Sequence, residues 1–111
     1  MSVFDLKRGD IVALFKGRFY DLLLGAVVSV SDHRVRVDFG TGVFPPYRRS
    51  DGLSLHSGRG AADYRIRPLD AEVRKDILAV GFAYGGCSRR QLEKMEARAR
   101  ELRAAMMESA G

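Results

Sequence analysis

Fifteen arginines against four lysines set the chemical character of this chain. Guanidinium groups pair in two-point fashion with phosphate or carboxylate and stack on flat rings. Arg34 and Arg36 lie two apart in one alternating run, Arg65 and Arg67 two apart in another, and Arg48 and Arg49 fall between. Tyr47 and Tyr64 interleave with them, as does Tyr20. A basic groove lined with aromatic rings is how small β-barrels hold single-stranded nucleic acid. The expected chemistry is therefore salt-sensitive pairing with phosphates, through Arg34, Arg36, Arg48, Arg49, Arg65 and Arg67 with Tyr47 and Tyr64, onto a nucleic acid or a nucleoprotein complex. Asp32, Asp38, Asp51 and Asp63 are scattered among these arginines, and a solvated face of mixed charge is the plainer reading of the same residues.

Other constellations carry less. Asp51, Ser54 and His56 invite a triad, but on a strand Ser54 and His56 stand about 7 Å apart, too far for a nucleophile to reach its base. Cys87 precedes Ser88, Arg89 and Arg90, a setting that favours thiolate, yet the chain has no second cysteine to resolve an oxidised one. One Cys and two distant His do not make a metal site. Gly40-Thr41-Gly42 lacks the third glycine and following helix of a dinucleotide loop, and no Walker sequence is present. The expectation is a binding protein and not an enzyme, with no catalytic residues, no metal and no cofactor.

Composition narrows the partners. The 111 residues carry a net charge of +5 and are 46% hydrophobic, which suits one small folded unit. With no Asn, the chain lacks the usual reader of adenine in a major groove. Its longest apolar run, Leu22–Val28, is bracketed by Asp21 and Ser29, so no membrane span is expected. Charges at Asp5, Lys7, Arg8 and Asp10 break up any secretory signal, and a single cysteine fits a reducing compartment, so a cytoplasmic location is expected.

The elements that must position these residues divide near Pro68. Residues 1–68 read as a small antiparallel β-barrel and residues 69–111 as a helical appendage, the two forming one compact unit. Strands are expected at Asp10–Phe15, Leu22–Ser31, Arg34–Phe39, Val43–Tyr47, Leu53–His56 and Tyr64–Arg67, with a loop over Lys16–Asp21. The alternation in Arg34–Phe39 turns Val35, Val37 and Phe39 inward and Arg34 and Arg36 outward. Gly25 inside the second strand suggests a bulge or sharp bend. Asp51-Gly52 supplies the positive φ of a tight turn, and Pro45-Pro46 confines its strand to an edge. Asp70 caps a helix over Ala71–Val80. Ser88 and Gln91 form a capping box at the head of a second helix running to Glu108. On that helix Leu92, Met95, Ala99, Leu102 and Met106 form a heptad stripe that must dock on its own chain, on a second copy, or on a foreign protein.

The run Gly9-Asp10-Ile11-Val12, then Gly25-Ala26-Val27-Val28, then Val35-Arg36-Val37-Asp38-Phe39-Gly40 resembles SH3-like barrels of the KOW and Tudor type, over roughly residues 9–67. Phe19-Tyr20-Asp21 resembles the aromatic entry to a Tudor second strand. The whole layout, barrel then helices, is similar to small phage and bacterial β-barrel proteins. That likeness implies an alternative function: a phage-type interaction factor that inhibits a host or defence complex through its helical tail. Leu92, Met95, Leu102 and Met106 would then contact the host protein, or a second copy in a homodimer.

Overall fold

Alternating valines and two irregularities of strand register, at Leu14/Phe15 and Val27/Ser29, accompany the curling of the strands into a barrel. The computed structural model describes residues 3–16, 19–55, 64–80 and 88–109. A short 3-10 turn (Val3–Asp5) leads into strands β1 (Ile11–Lys16), β2 (Phe19–Val30), β3 (Arg34–Asp38), β4 (Pro46–Arg48) and β5 (Tyr64–Pro68). Helices α1 (Ala71–Val80) and α2 (Arg89–Ser109) follow. The strands form one antiparallel sheet in the order β4-β3-β2-β1-β5. Residues 53 and 54 nearly close it into a barrel, because Ser54 bridges Tyr47 of β4 and Leu53 bridges Arg65 of β5. Leu53 O accepts from Arg48 N at 2.7 Å and Ser54 N donates to Tyr64 O at 2.9 Å. This is a five-stranded antiparallel barrel followed by two helices, consistent with a small SH3-like barrel.

The strand period of two gives the sheet two apolar sides. Val12, Leu14, Val27, Val35, Val37, Phe39, Tyr47 and Ile66 fill the interior with Leu6. On the outside of β1 and β2, Ala13 and Leu24 meet Val73 and Ile77 of α1 and Leu92 and Ala99 of α2, flanked by Ile11, Phe15 and Met95. Neighbours such as Val12 and Ala13 thus face opposite cores. β2 makes this possible by serving two ladders, pairing with β1 as far as Ala26 and with β3 from Ala26 onward. The register shifts fall between Leu14 and Phe15 and between Val27 and Ser29, not at the expected Gly25, where an added Cβ would lie 2.7 Å from Asp38 O and 2.7 Å from the Phe39 ring. Glycine is needed there for the close approach of β3.

Three strand boundaries differ from expectation. Lys16 belongs to β1 and Phe19–Asp21 to β2, so of the expected loop over Lys16–Asp21 only residues 17 and 18 remain, and they lie outside the described residues. Val43–Pro45 is not strand, since Pro45 and Pro46 have no N–H for a ladder and β4 keeps only three residues. Leu53 and Ser54 form isolated bridges rather than a strand, and His56 lies outside the described residues. So do residues 57–63, residues 81–86 and Cys87.

The helix signals hold in detail. Asp70 Oδ1 accepts from Val73 N at 2.9 Å. Ser88 Oγ accepts from Gln91 N at 3.1 Å while Gln91 Oε1 accepts from Ser88 N at 3.0 Å, the reciprocal capping box. The first half of the heptad stripe docks within the chain. Leu92 is buried and Met95 packs against the outer core, while Leu102 and Met106 are half-buried toward the end of α2. Glu96, on the same helix, is buried and gripped at both oxygens by Arg74 of α1, at 2.7 and 2.8 Å. Among the described residues no helix is long and apolar enough to cross a membrane.

Candidate nucleic-acid interface

The arginines divide into those left at the surface and those used by the fold. On β3, Arg34 and Arg36 face solvent, as the alternation requires. Register places Arg34 directly opposite Arg48 and Arg36 opposite Pro46. Arg49 N donates to His33 O at 2.9 Å, so residues 33 and 49 are the hydrogen-bonded kind of pair. The alternate pair, Arg34 with Arg48, is then the non-hydrogen-bonded kind, with Cα atoms only about 4.5 Å apart and side chains at their closest. Two arginine side chains therefore leave neighbouring backbone positions on the outer wall.

Asp51 partly balances them. Its two carboxylate oxygens accept from Arg48 Nε (2.9 Å) and Arg48 Nη2, a fork-to-fork pair. Oδ1 also accepts from Leu53 N at 3.1 Å. The Arg48 hydrogen bonds hold the Asp51 carboxyl down at about 2 against an opposing desolvation cost, with Leu53 N and the charges of Arg48 and Arg65 adding lesser pulls in the same direction. Arg65 thus lies within electrostatic reach across the closure of the barrel. The described residues offer no side-chain partner to Arg34 or Arg65. Arg36 Nη1 donates to Phe44 O at 3.1 Å and keeps the rest of its fork outward.

Two of the six expected arginines do structural work. Arg49 Nη1 donates to Ser31 O at 3.0 Å and Nε to Phe4 O at 3.3 Å, with its guanidinium 4.6 Å from the centre of the Phe4 ring. Arg67 is paired at 3.4 Å with Asp76 of α1 and so fastens the helix to β5.

The tyrosines correct the expectation more firmly. Tyr47 points into the barrel, 4% exposed, with its ring edge-on to Phe39 at 6.3 Å. No base can stack on it. Burial, with the neighbouring Tyr64, pushes its hydroxyl up to about 12. Tyr64 is half-buried against the same core, and the Tyr20 side chain lies outside the described residues. An exposed aromatic residue beside this wall is Phe44, 42% exposed, whose backbone carbonyl accepts from Arg36, with Val43 at 62% next to it. The sequence signal for it was the Pro45-Pro46 step, which prevents the preceding residues from pairing and burying. Among the described residues no group of three His, Cys, Asp or Glu is placed to hold a metal.

No protein-family model matches the chain, and no curated protein or solved structure matches it.

Proposed function

We propose that this protein is a non-enzymatic module that binds single-stranded nucleic acid across the outer wall of β3 and β4. The observation that carries the reading is the opposed pair Arg34 and Arg48. Like charges directly across a ladder repel, and Asp51 is committed to one of them. A polyanion lying across the wall supplies the missing charge, with Arg36 and Arg65 to either side and Phe44 as the stacking ring. Arg34, Arg36 and Arg65 take phosphates while Asp51 holds Arg48, and Phe44 replaces Tyr47 and Tyr64 as the platform. Kinship with KOW and Tudor barrels and with phage and bacterial β-barrel proteins belongs to the same proposal, as does a reducing, cytoplasmic setting.

The alternative, a host target or a second copy gripped by the helical tail, would have to draw Leu92 and Met95 out of the outer core. That cost favours the barrel wall. Anisotropy titrations of labelled oligothymidylate, oligouridylate and duplex DNA, at about 50 and 200 mM salt, test the reading. Single strands are expected to bind more tightly than duplex and to weaken steeply with salt. Phe44→Ala is expected to cost about 1–3 kcal/mol, the worth of one stacked base. Binding that ignores salt, or its absence at the lower salt, would sink the proposal.

A further inference from the structure

A second basic concavity adjoins the wall. The N-terminal turn and the end of β2 enclose an open groove of about 580 Å³. Lys7, Arg8 and Arg49 line it with Ser29 and Ser31, against one carboxylate, Asp32. Three cations to one anion leave the groove positive by two.

Arg49 is the group that makes this more than a charged hollow. Its stem and plane are fixed by two carbonyls and by the Phe4 ring. Those carbonyls take two of its five N–H groups, and the other three remain for a ligand. A guanidinium held rigid beforehand loses little freedom when an oxyanion arrives. The Lys7 ammonium and the Ser29 hydroxyl have no partner among the described residues. Ser31 is less free, since its hydroxyl is engaged with the Arg34 backbone at 3.2 and 3.4 Å.

The β2 bulge joins the groove to the wall. Val27 pairs with Val37, but it is Ser29, not Val28, that stands opposite Arg36. The extra residue puts a hydroxyl where an unbroken ladder would put a valine. Ser29, Arg36 and Pro46 then follow one another across three strands, a span of about 10 Å at ~4.8 Å per strand.

We propose that the groove lined by Lys7, Arg8, Ser29 and Arg49 is a phosphate subsite, taking one phosphodiester of a strand that continues over Arg36 to Phe44. It rests on the proposed function for the identity of the anion. The same chemistry would suit free phosphate, and the test separates the two.

Backbone amide signals of the 15N-labelled protein are followed while oligothymidylate is added, and in a second arm inorganic phosphate at equal phosphate concentration. Ser29 and Ser31 are expected to shift together with Arg36 and Phe44 on adding the strand, and less with free phosphate. Lys7→Ala removes a side chain whose ammonium has no hydrogen-bond or ion-pair partner among the described residues. It is expected to lower strand affinity about 3- to 5-fold, as for an exposed ion pair, and to make the salt exponent shallower by about 0.7. If Arg36 and Phe44 shift while Ser29 and Ser31 stay still, the groove is refuted and the wall stands. If the groove responds alone, the continuous track is refuted and the wall reading fails with it. An equal response to inorganic phosphate refutes the strand as its ligand. No response in either arm overturns both.

Discussion

Asp51→Asn isolates the competition that the outer wall sets up. Asn keeps an Oδ1 to accept from Leu53 N, so the turn retains its bond, but it loses the charge that occupies the Arg48 fork. In the native protein three cations on the wall, Arg34, Arg36 and Arg65, pair with no carboxylate among the described residues. At about 0.7 counterions released per phosphate on a single strand, they give a log–log salt slope of about −2.1. A fourfold rise in salt then weakens binding roughly 20-fold. Freeing Arg48 steepens the slope to about −2.8 and the loss to roughly 50-fold. Contacts in the adjoining groove add equally to both proteins, so the difference of about 0.7 is the quantity to measure. Acidification is no substitute, because Arg48 holds Asp51 ionised down to pH about 2. Anisotropy titrations at four salt concentrations, with circular dichroism to confirm the fold, supply both slopes. An unchanged or shallower slope in a folded Asp51→Asn protein refutes the idea that the wall meets phosphates through Arg48.

Gly25→Ala should destabilise by about 1–3 kcal/mol, because the new methyl meets the Asp38 carbonyl and two core side chains inside normal contact. A urea or thermal melt would read this as a fall in Tm of roughly 5–15 °C. Leu92→Ala should cost about 2–5 kcal/mol by opening a cavity between α2 and α1, read as a lower urea midpoint. The raised Tyr47 hydroxyl contributes stability that is complete below pH 10 and lost as pH climbs toward 12, since the folded state then holds a proton that the unfolded chain releases. An alkaline unfolding titration should show that loss, and Tyr47→Phe should remove it. Asp51 acts in the opposite sense: its contribution is present above pH about 3.8 and falls away toward pH 2. NMR titration of its carboxyl should find a midpoint near 2, returning toward 3.8 in Arg48→Gln.

Much of the architecture is legible in local pattern. Period-two alternation over Arg34–Phe39 places three residues in the core and two arginines outside, and capping chemistry at Asp70 and Ser88 marks both helix starts. What pattern conceals is who stands across from whom. Nothing local to Arg67 announces Asp76, because their meeting depends on how α1 turns back over β5. Arg49 looks as free as Arg48 in sequence, yet it reaches Phe4, forty-five positions earlier. Tyr47 sits in a three-residue strand, too short for alternation to reveal which way it faces. The arginine wall was thus half legible: its β3 members followed from period, while its division into free and committed cations followed from packing.

The double-sided character of β1 and β2 couples the tail to the barrel. Ile11, Ala13, Phe15 and Leu24 form an apolar panel that α1 and α2 roof over. A chain ending at Pro68 would bare that panel to water, and shortened chains would stick to one another through it. The helices therefore serve as solubilising cladding for the barrel, covering the outside of β1 and β2.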